Sequence, residues 1–267
     1  MKIGLCQTNT QDKKAKNLEA AEAAIDKLAA QGADLVVLPE MFHFLGPDEE
    51  KITNAEPIPG PSIDRLQRKA KEKGIFVHCG SILEKDGDKI YNASVVFNRQ
   101  GERVAFYRKI HLFDVEIPGG IVYKESAVVT SGKDIMTFNC EGITVGLSIC
   151  YDLRFPELYR RLADRGVSLI LIPAAFNLMT GKDHWEPLIR ARAIENVCYV
   201  AACGQWGFHP VNNQCYGHSM VVNPWGMLIA QARDGEATVL AELDFEYMHS
   251  VREKLPALQH RRKDLFG

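Results

Sequence analysis

The stretch Gly32-Ala33-Asp34-Leu35-Val36-Val37-Leu38-Pro39 returns later in the chain as Gly166-Val167-Ser168-Leu169-Ile170-Leu171-Ile172-Pro173. Each holds a short run of Leu, Val and Ile with no polar alternation, the pattern of a strand buried on both faces of a sheet. A second echo joins Val95-Val96-Phe97-Asn98-Arg99-Gln100-Gly101 to Met220-Val221-Val222-Asn223-Pro224-Trp225-Gly226. Two echoes in the same order make an internal repeat, and the fold follows from how its halves bury their apolar faces.

In the first half the pattern gives a strand at Lys2 to Thr8, a helix from Asn17 to about Gln31, a strand at Leu35 to Leu38 and a helix from Ser62 to Lys73. Strands at Ile75 to Leu83, Tyr91 to Asn98 and Val104 to Tyr107 follow. The turns Asp86-Gly87-Asp88 and Asn98-Arg99-Gln100-Gly101 predict antiparallel hairpins. The second half repeats the order with a strand at Ile143 to Ser148, a helix at Pro156 to Arg165, a strand at Ser168 to Ile172 and a helix at Trp185 to Asn196. Strands at Cys198 to Ala202, Ser219 to Val222 and Met227 to Ala230 complete it, the last two joined across Asn223-Pro224-Trp225-Gly226. Two αββ halves that pack sheet on sheet leave their helices outside, so the expected fold is α/β, a four-layer α-β-β-α sandwich.

Composition sets the bounds. The 267 residues are 46% hydrophobic and 25% charged, enough for a substantial core, and no Ser/Gly-rich linker or low-complexity tract divides them. A single domain over 1-267 is expected. The net charge of -2 offers no basic surface for nucleic acid. With no signal-like segment at Met1 and no apolar stretch near the ~20 residues of a membrane span, a cytoplasmic protein with no membrane partner is expected. The seven cysteines are an odd number without CxxC pairs, which argues against a disulfide framework. The eight histidines form no HExxH or zinc-spaced cluster, so neither metal nor cofactor is expected.

Three polar residues interrupt or end apolar runs: Glu40 after Pro39, Lys109 within Tyr107-Arg108-Lys109-Ile110-His111-Leu112, and Cys150 after Ile143 to Ile149. Carboxyl ends of strands in layered α/β folds can converge on one crevice, so an acid, an amine and a thiol distant in sequence can share a site. The repeat itself marks Glu40: its counterpart after Pro173 is Ala174, so the fold does not require a carboxylate there. Alone, Glu40 and Lys109 would read as a buried ion pair.

Leu38-Pro39-Glu40-Met41-Phe42, Tyr107 to Leu112, and Gly146-Leu147-Ser148-Ile149-Cys150-Tyr151-Asp152-Leu153-Arg154-Phe155-Pro156-Glu157 resemble the nitrilase superfamily of carbon-nitrogen hydrolases. The resemblance runs essentially the length of the chain, in the family's order and spacing, and implies the α-β-β-α fold already inferred. It implies Cys150 as nucleophile, Glu40 as general base and acid, and Lys109 as a fixed positive charge beside a tetrahedral intermediate. Each role has a chemical reason. A free thiol is only a few per cent thiolate at neutral pH, and a carboxylate can take its proton during attack. The same acid can protonate a departing amine. The backbone N-H of Tyr151, with Lys109, is the expected oxyanion donor.

By the same resemblance Glu125 is a supporting acid beside the lysine, and Arg154 grips a substrate carboxylate. A solvated loop acid and a structural ion pair are the plainer readings of these two. Phe42, Phe176, Asn177 and Trp185 are expected to line a mainly apolar pocket, with His184 and Glu186 close behind. The segments Ala175 to Gly181, Tyr216 to Met220 and Leu255 to Arg262 resemble the amidase branch and straddle omega-amidases and deaminated-glutathione amidases. The implied substrate is a small 2-oxo acid amide, and the family implies a homodimer or higher homo-oligomer. A nitrilase or N-carbamoyl amidohydrolase would use the same three residues. A Cys-His protease-like enzyme is disfavoured because His111 sits in the motif that fits the lysine role and no protease-type signature surrounds Cys150; a non-enzymatic thiol sensor or binding protein would need no proton-shuttling acid such as Glu40.

Overall fold

In the run Leu35 to Leu38, alternate residues go to opposite sides. Leu35 and Val37 join the apolar layer between two sheets, whereas Val36 and Leu38 pack with Leu18, Ile25, Leu28, Ile63 and Leu66 of two helices. The run is apolar throughout because both faces are covered. Each fully buried Leu, Ile or Val contributes roughly 1.5–3 kcal/mol relative to exposure.

The computed structural model describes residues 1–117, 121–211 and 213–266. Its elements in the first half are β1 (Lys2–Gln7), α1 (Lys14–Ala30), β2 (Leu35–Val37), α2 (Asp48–Asn54), α3 (Pro61–Lys73), β3 (Phe76–His78), β4 (Ile82–Asp86), β5 (Lys89–Phe97) and β6 (Arg103–Arg108). A ribbon of β7 (Asp114–Ile117) and β8 (Ile121–Lys124) follows. The second half has β9 (Thr137–Cys140), β10 (Ile143–Leu147), α4 (Pro156–Asp164), β11 (Leu169–Ala174), α5 (Leu178–Asn196) and β12 (Tyr199–Gly204). It closes with β13 (Trp206–His209), β14 (Asn213–Tyr216), β15 (Met220–Val222), β16 (Leu228–Gln231), β17 (Ala237–Glu242), α6 (Phe245–Lys254) and α7 (Lys263–Phe266).

The repeat is visible in the pairing. One sheet runs β17-β1-β2-β3-β5-β4, with β6 on the other edge of β5, and the second runs β16-β15-β12-β11-β10-β9. Strands β1, β2 and β3 are parallel and meet β5 antiparallel, as β10, β11 and β12 are parallel and meet β15 antiparallel. The echoed sequences are therefore β2 with β11, and β5 with β15. Helices α1 and α3 cover one sheet and α4 and α5 the other, which makes the α-β-β-α sandwich. All seven cysteines are buried and free.

Two expectations need correction. The expected strand Ile75 to Leu83 is two pieces along the same edge of β5. Its register moves from His78 opposite Val96 to Ile82 opposite Ala93, leaving an extra residue between them. Gly80 sits in that bulge at φ 54°, and a Cβ there would lie 2.0 Å from the Pro39 carbonyl oxygen. The close approach needs glycine, and it sets the backbone immediately before Glu40. The expected helix Trp185 to Asn196 begins earlier, at Leu178, because the Asn177 side chain accepts the Met179 N-H and caps it. Pro187 lies inside it. Between β2 and α3, the segment Phe42 to Pro61 contains the short helix α2.

Candidate active site

Glu40 follows β2, Lys109 follows β6, and Cys150 follows β10, and the structure brings the three together. Glu40 and Lys109 are 4% and 2% exposed. The Lys109 ammonium donates to Glu40 Oε1 at 3.1 Å and to both oxygens of Glu125, at 3.2 and 2.8 Å. Glu40 Oε2 accepts the Ala175 N-H at 2.7 Å. Ala175 lies just beyond β11, so the ends of the two echoed strands meet at this carboxylate.

Burial by itself would pull the Lys109 amine down, but the charges of Glu125, Glu40 and Cys150 outweigh it and hold the amine well above its ordinary value. For the Cys150 thiol the balance runs the other way. Burial pushes it well up, the Glu40 charge and a hydrogen bond with Glu40 push in the same direction, and Lys109 opposes them. The resting pair is therefore a protonated thiol beside a carboxylate already bonded by Lys109. A thiolate signal at 240 nm, taken as native protein minus Cys150→Ala, is expected to be absent up to about pH 9, above the ordinary thiol value. A midpoint at or below that ordinary value would contradict this electrostatic balance.

Cys150 adopts φ 47°, a left-handed conformation that is strained for a residue with a Cβ. Asp152, fully buried in the turn Cys150–Arg154, holds that bend. Its Oδ2 accepts the Tyr107 hydroxyl at 2.6 Å and the Ile149 N-H at 2.9 Å, while its Oδ1 accepts the His111 N-H at 3.0 Å and lies 2.7 Å from His111 Nδ1. One carboxylate thereby ties the thiol's turn to β6 and the segment after it, which flank Lys109. His111 is consequently unsuited to a Cys-His pair: besides Asp152, its ring stacks on Phe155 at 3.7 Å.

The cluster opens into a cavity of about 570 Å³ lined by Glu40, Lys109, Glu125, Cys150, Tyr151, Arg154, Phe176 and Asn177, among others. Phe42 is not there. It is 1% exposed in the core beneath α1 and α3, because the chain turns at Met41, φ 55°, and sends Phe42 inward while Phe44 and Leu45 reach the cavity. Trp185 is likewise core, packed on Phe176 at 5.0 Å and donating its indole N-H to the His218 carbonyl. Asn177, besides capping α5, donates to the Tyr123 hydroxyl at 3.2 Å.

Arg154 lies with its guanidinium 5.1 Å from the Phe176 ring and 5.9 Å from the Tyr151 ring, and meets His184 Nδ1 at 3.3 Å. Among the described residues no carboxylate pairs with it. Glu186 pairs with Arg190 instead. Sequence reasoning missed Asn92 and the structural part played by Asp152. Asn92 looked like an ordinary polar residue of a strand, and Asp152 carried only its closeness to Cys150 as a signal. Among the described residues no group of three His, Cys, Asp or Glu could hold a metal ion, and no helix is long and apolar enough to cross a membrane.

A four-layer sandwich with a buried Glu-Lys-Cys cluster at its strand ends defines a carbon-nitrogen hydrolase. Residues 2–253 match the family described as Carbon-nitrogen hydrolase, and the chain belongs to it, within the nitrilase superfamily; it is an enzyme that hydrolyses amides. It is 40% identical over 272 residues to a deaminated glutathione amidase of Bos taurus, covering 99% of this chain and 83% of the relative. It is 40% identical over 266 residues to the omega-amidase NIT2 of Danio rerio, covering 100% and 96%. The crystal structure of the C. elegans NitFhit protein superposes with a TM-score of 0.94 at 38% identity, over 100% of this chain and 66% of that longer one.

Proposed function

We propose that the protein hydrolyses the amide of a small carboxylate-bearing compound, a 2-oxo acid amide such as 2-oxoglutaramate or deaminated glutathione, through a thioester on Cys150. One observation carries the reading: the Glu40-Lys109-Cys150 cluster opens on a cavity whose wall presents the Arg154 guanidinium without a carboxylate partner among the described residues. A guanidinium so placed suits a substrate carboxylate.

The sulfur of Cys150 attacks the amide carbon as Glu40 takes its proton. The oxyanion is held by Lys109 and the Tyr151 N-H. Lys109 can serve because it reaches Glu125 through both carboxylate oxygens, so one N-H can turn to the oxyanion without leaving that acid. The C-N bond breaks as Glu40 returns the proton to the departing amine. Water then adds to the thioester with Glu40 as base, the C-S bond breaks, and the thiol is restored.

The test is release of 2-oxoglutarate and of ammonia from 2-oxoglutaramate, deaminated glutathione, glutamine, an N-carbamoyl amino acid and an aliphatic nitrile, with native protein beside Cys150→Ala. Turnover of a 2-oxo acid amide, lost in the variant, is expected. Ammonia accompanies 2-oxoglutarate from the first compound, and a dipeptide amine replaces it for the second. Turnover confined to the carbamoyl compound or the nitrile would keep the three residues and overturn the substrate.

A further inference from the structure

Behind the cavity, Asn92 of β5 occupies a position the mechanism above leaves unexplained. It is fully buried. Its side-chain amide nitrogen donates to Glu40 Oε1 at 2.8 Å and to Glu125 Oε1 at 3.2 Å, the same two oxygens that Lys109 reaches at 3.1 and 3.2 Å. Two donors and two acceptors thus alternate around a closed ring. Asn92 and Lys109 face each other across adjacent antiparallel strands: the β5–β6 register sets Ala93 opposite Arg108, and the Asn92 carbonyl accepts the Lys109 backbone N-H at 2.8 Å. Both side chains therefore leave the same side of the sheet edge.

The orientation of this amide is decided by chemistry. With carboxylate oxygens on one side, the nitrogen must face them, because a carbonyl there would meet only acceptors. The consequence is visible at its other end: Asn92 Oδ1 is buried with no hydrogen-bond partner among the described residues. An unsatisfied buried carbonyl is unfavourable, so what the nitrogen does must outweigh it. Filling Oε1 of Glu40 with two donors leaves Oε2, whose bond from Ala175 occupies one lone pair, as the less committed oxygen.

We propose that Asn92 is a positioning residue that, together with Lys109, commits Oε1 of Glu40 and so reserves Oε2 to exchange a proton with the thiol and the departing amine. The proposal rests on the reading of Glu40 as the proton carrier. The groups facing Glu40 are Lys109, Cys150, Glu125 through the shared donors, and Cys215, whose thiol feels the Glu40 charge. Removing Asn92 withdraws a donor from the charged carboxylate and leaves the negative neighbours in place, so Glu40 should protonate more readily.

The experiment is the pH profile of kcat/KM for Asn92→Leu, Asn92→Ser and Asn92→Asp, with Glu40→Gln as control. Asn92→Leu should lower kcat roughly 10- to 100-fold, as for a misplaced catalytic group, and move the acid limb to higher pH by about one unit. Asn92→Ser, which offers one hydroxyl donor, should move it less in the same direction and covers the case in which leucine prevents folding. Asn92→Asp should work only toward acid pH, where the new carboxyl is protonated and can donate, and fail as it ionises between its two acidic neighbours. Variants that fold and lose activity with both limbs where the native protein has them would overturn the proposal and leave Asn92 a structural residue. Full activity in Glu40→Gln would instead overturn the reading of Glu40 on which it rests.

Discussion

Glutamine in place of Glu40 is expected to lower kcat/KM for the amide by about 10²- to 10⁴-fold, the usual range for a general acid-base group, while making the Cys150 thiol easier to ionise. The two effects pull apart because Glu40 acts on the thiol in two ways. Its charge, with its hydrogen bond, helps burial push the thiol up, and Lys109 opposes them. Glutamine keeps the volume and removes the charge, so the Lys109 attraction is less opposed and the thiol midpoint falls from its native position. Were thiolate the limiting resource, the variant would be faster. It is expected to be slower because it has no acid to protonate the departing amine and no base to activate water. The glutamine also cannot satisfy its neighbours: its oxygen can face either the Asn92 and Lys109 donors or the Ala175 N-H, not both. Rates of Cys150 alkylation against pH, beside turnover, check this. An alkylation midpoint lowered together with a retained kcat/KM would show that Glu40 supplies charge and no proton.

The parts of the molecule legible in the sequence are those where a short-range pattern carries the physics. Leu35 to Leu38 and Leu169 to Ile172 are buried on both faces, so apolar continuity revealed strands and their echo revealed the paired sheets. Glu40 and Cys150 stood out because each ends an apolar run, and Lys109, beside Arg108 and His111, stood out through the motif Tyr107 to Leu112. Asn92 did not stand out, since a polar residue beside Tyr91 and Ala93 reads as an ordinary strand alternation, and its role comes from contacts with Glu40 and Glu125, both distant in sequence. Phe42 was misplaced for the converse reason: two residues from Glu40 in sequence, it is separated from the cavity by one positive φ at Met41. The cavity walls come from the segment holding Phe44 and Leu45 and from the ribbon holding Tyr123, which have no periodicity to read. Their positions depend on long-range contacts that a local pattern does not encode.

Replacing Lys109 with methionine is expected to be strongly destabilising, and its signature is the pH dependence. Methionine fills much the same space, but Glu40 and Glu125, with side chains 5% and 16% exposed, lose the cation between them. Removing one partner from a buried ion pair costs about 3–5 kcal/mol, or roughly 6–20 °C in Tm for a chain of this size. In the native protein the amine is held above its unfolded value, so its contribution is complete below that value and lost only as pH rises through the folded one. In the variant the paired acids face each other with only Asn92 donating to both. Their folded values should rise above the unfolded ones, so the folded state binds more protons than the unfolded chain, and stability increases as pH falls toward the carboxylate range. The deficit against native protein should therefore shrink between pH 8 and pH 5. Turnover should fall by about 10²- to 10³-fold or more through the lost oxyanion donor, and a return of stability at low pH should not restore it. Thermal melts at several pH values, set beside turnover, check both parts. A deficit independent of pH would mean that the two carboxylates do not depend on Lys109 for their charge, and the balance described for the site would be wrong.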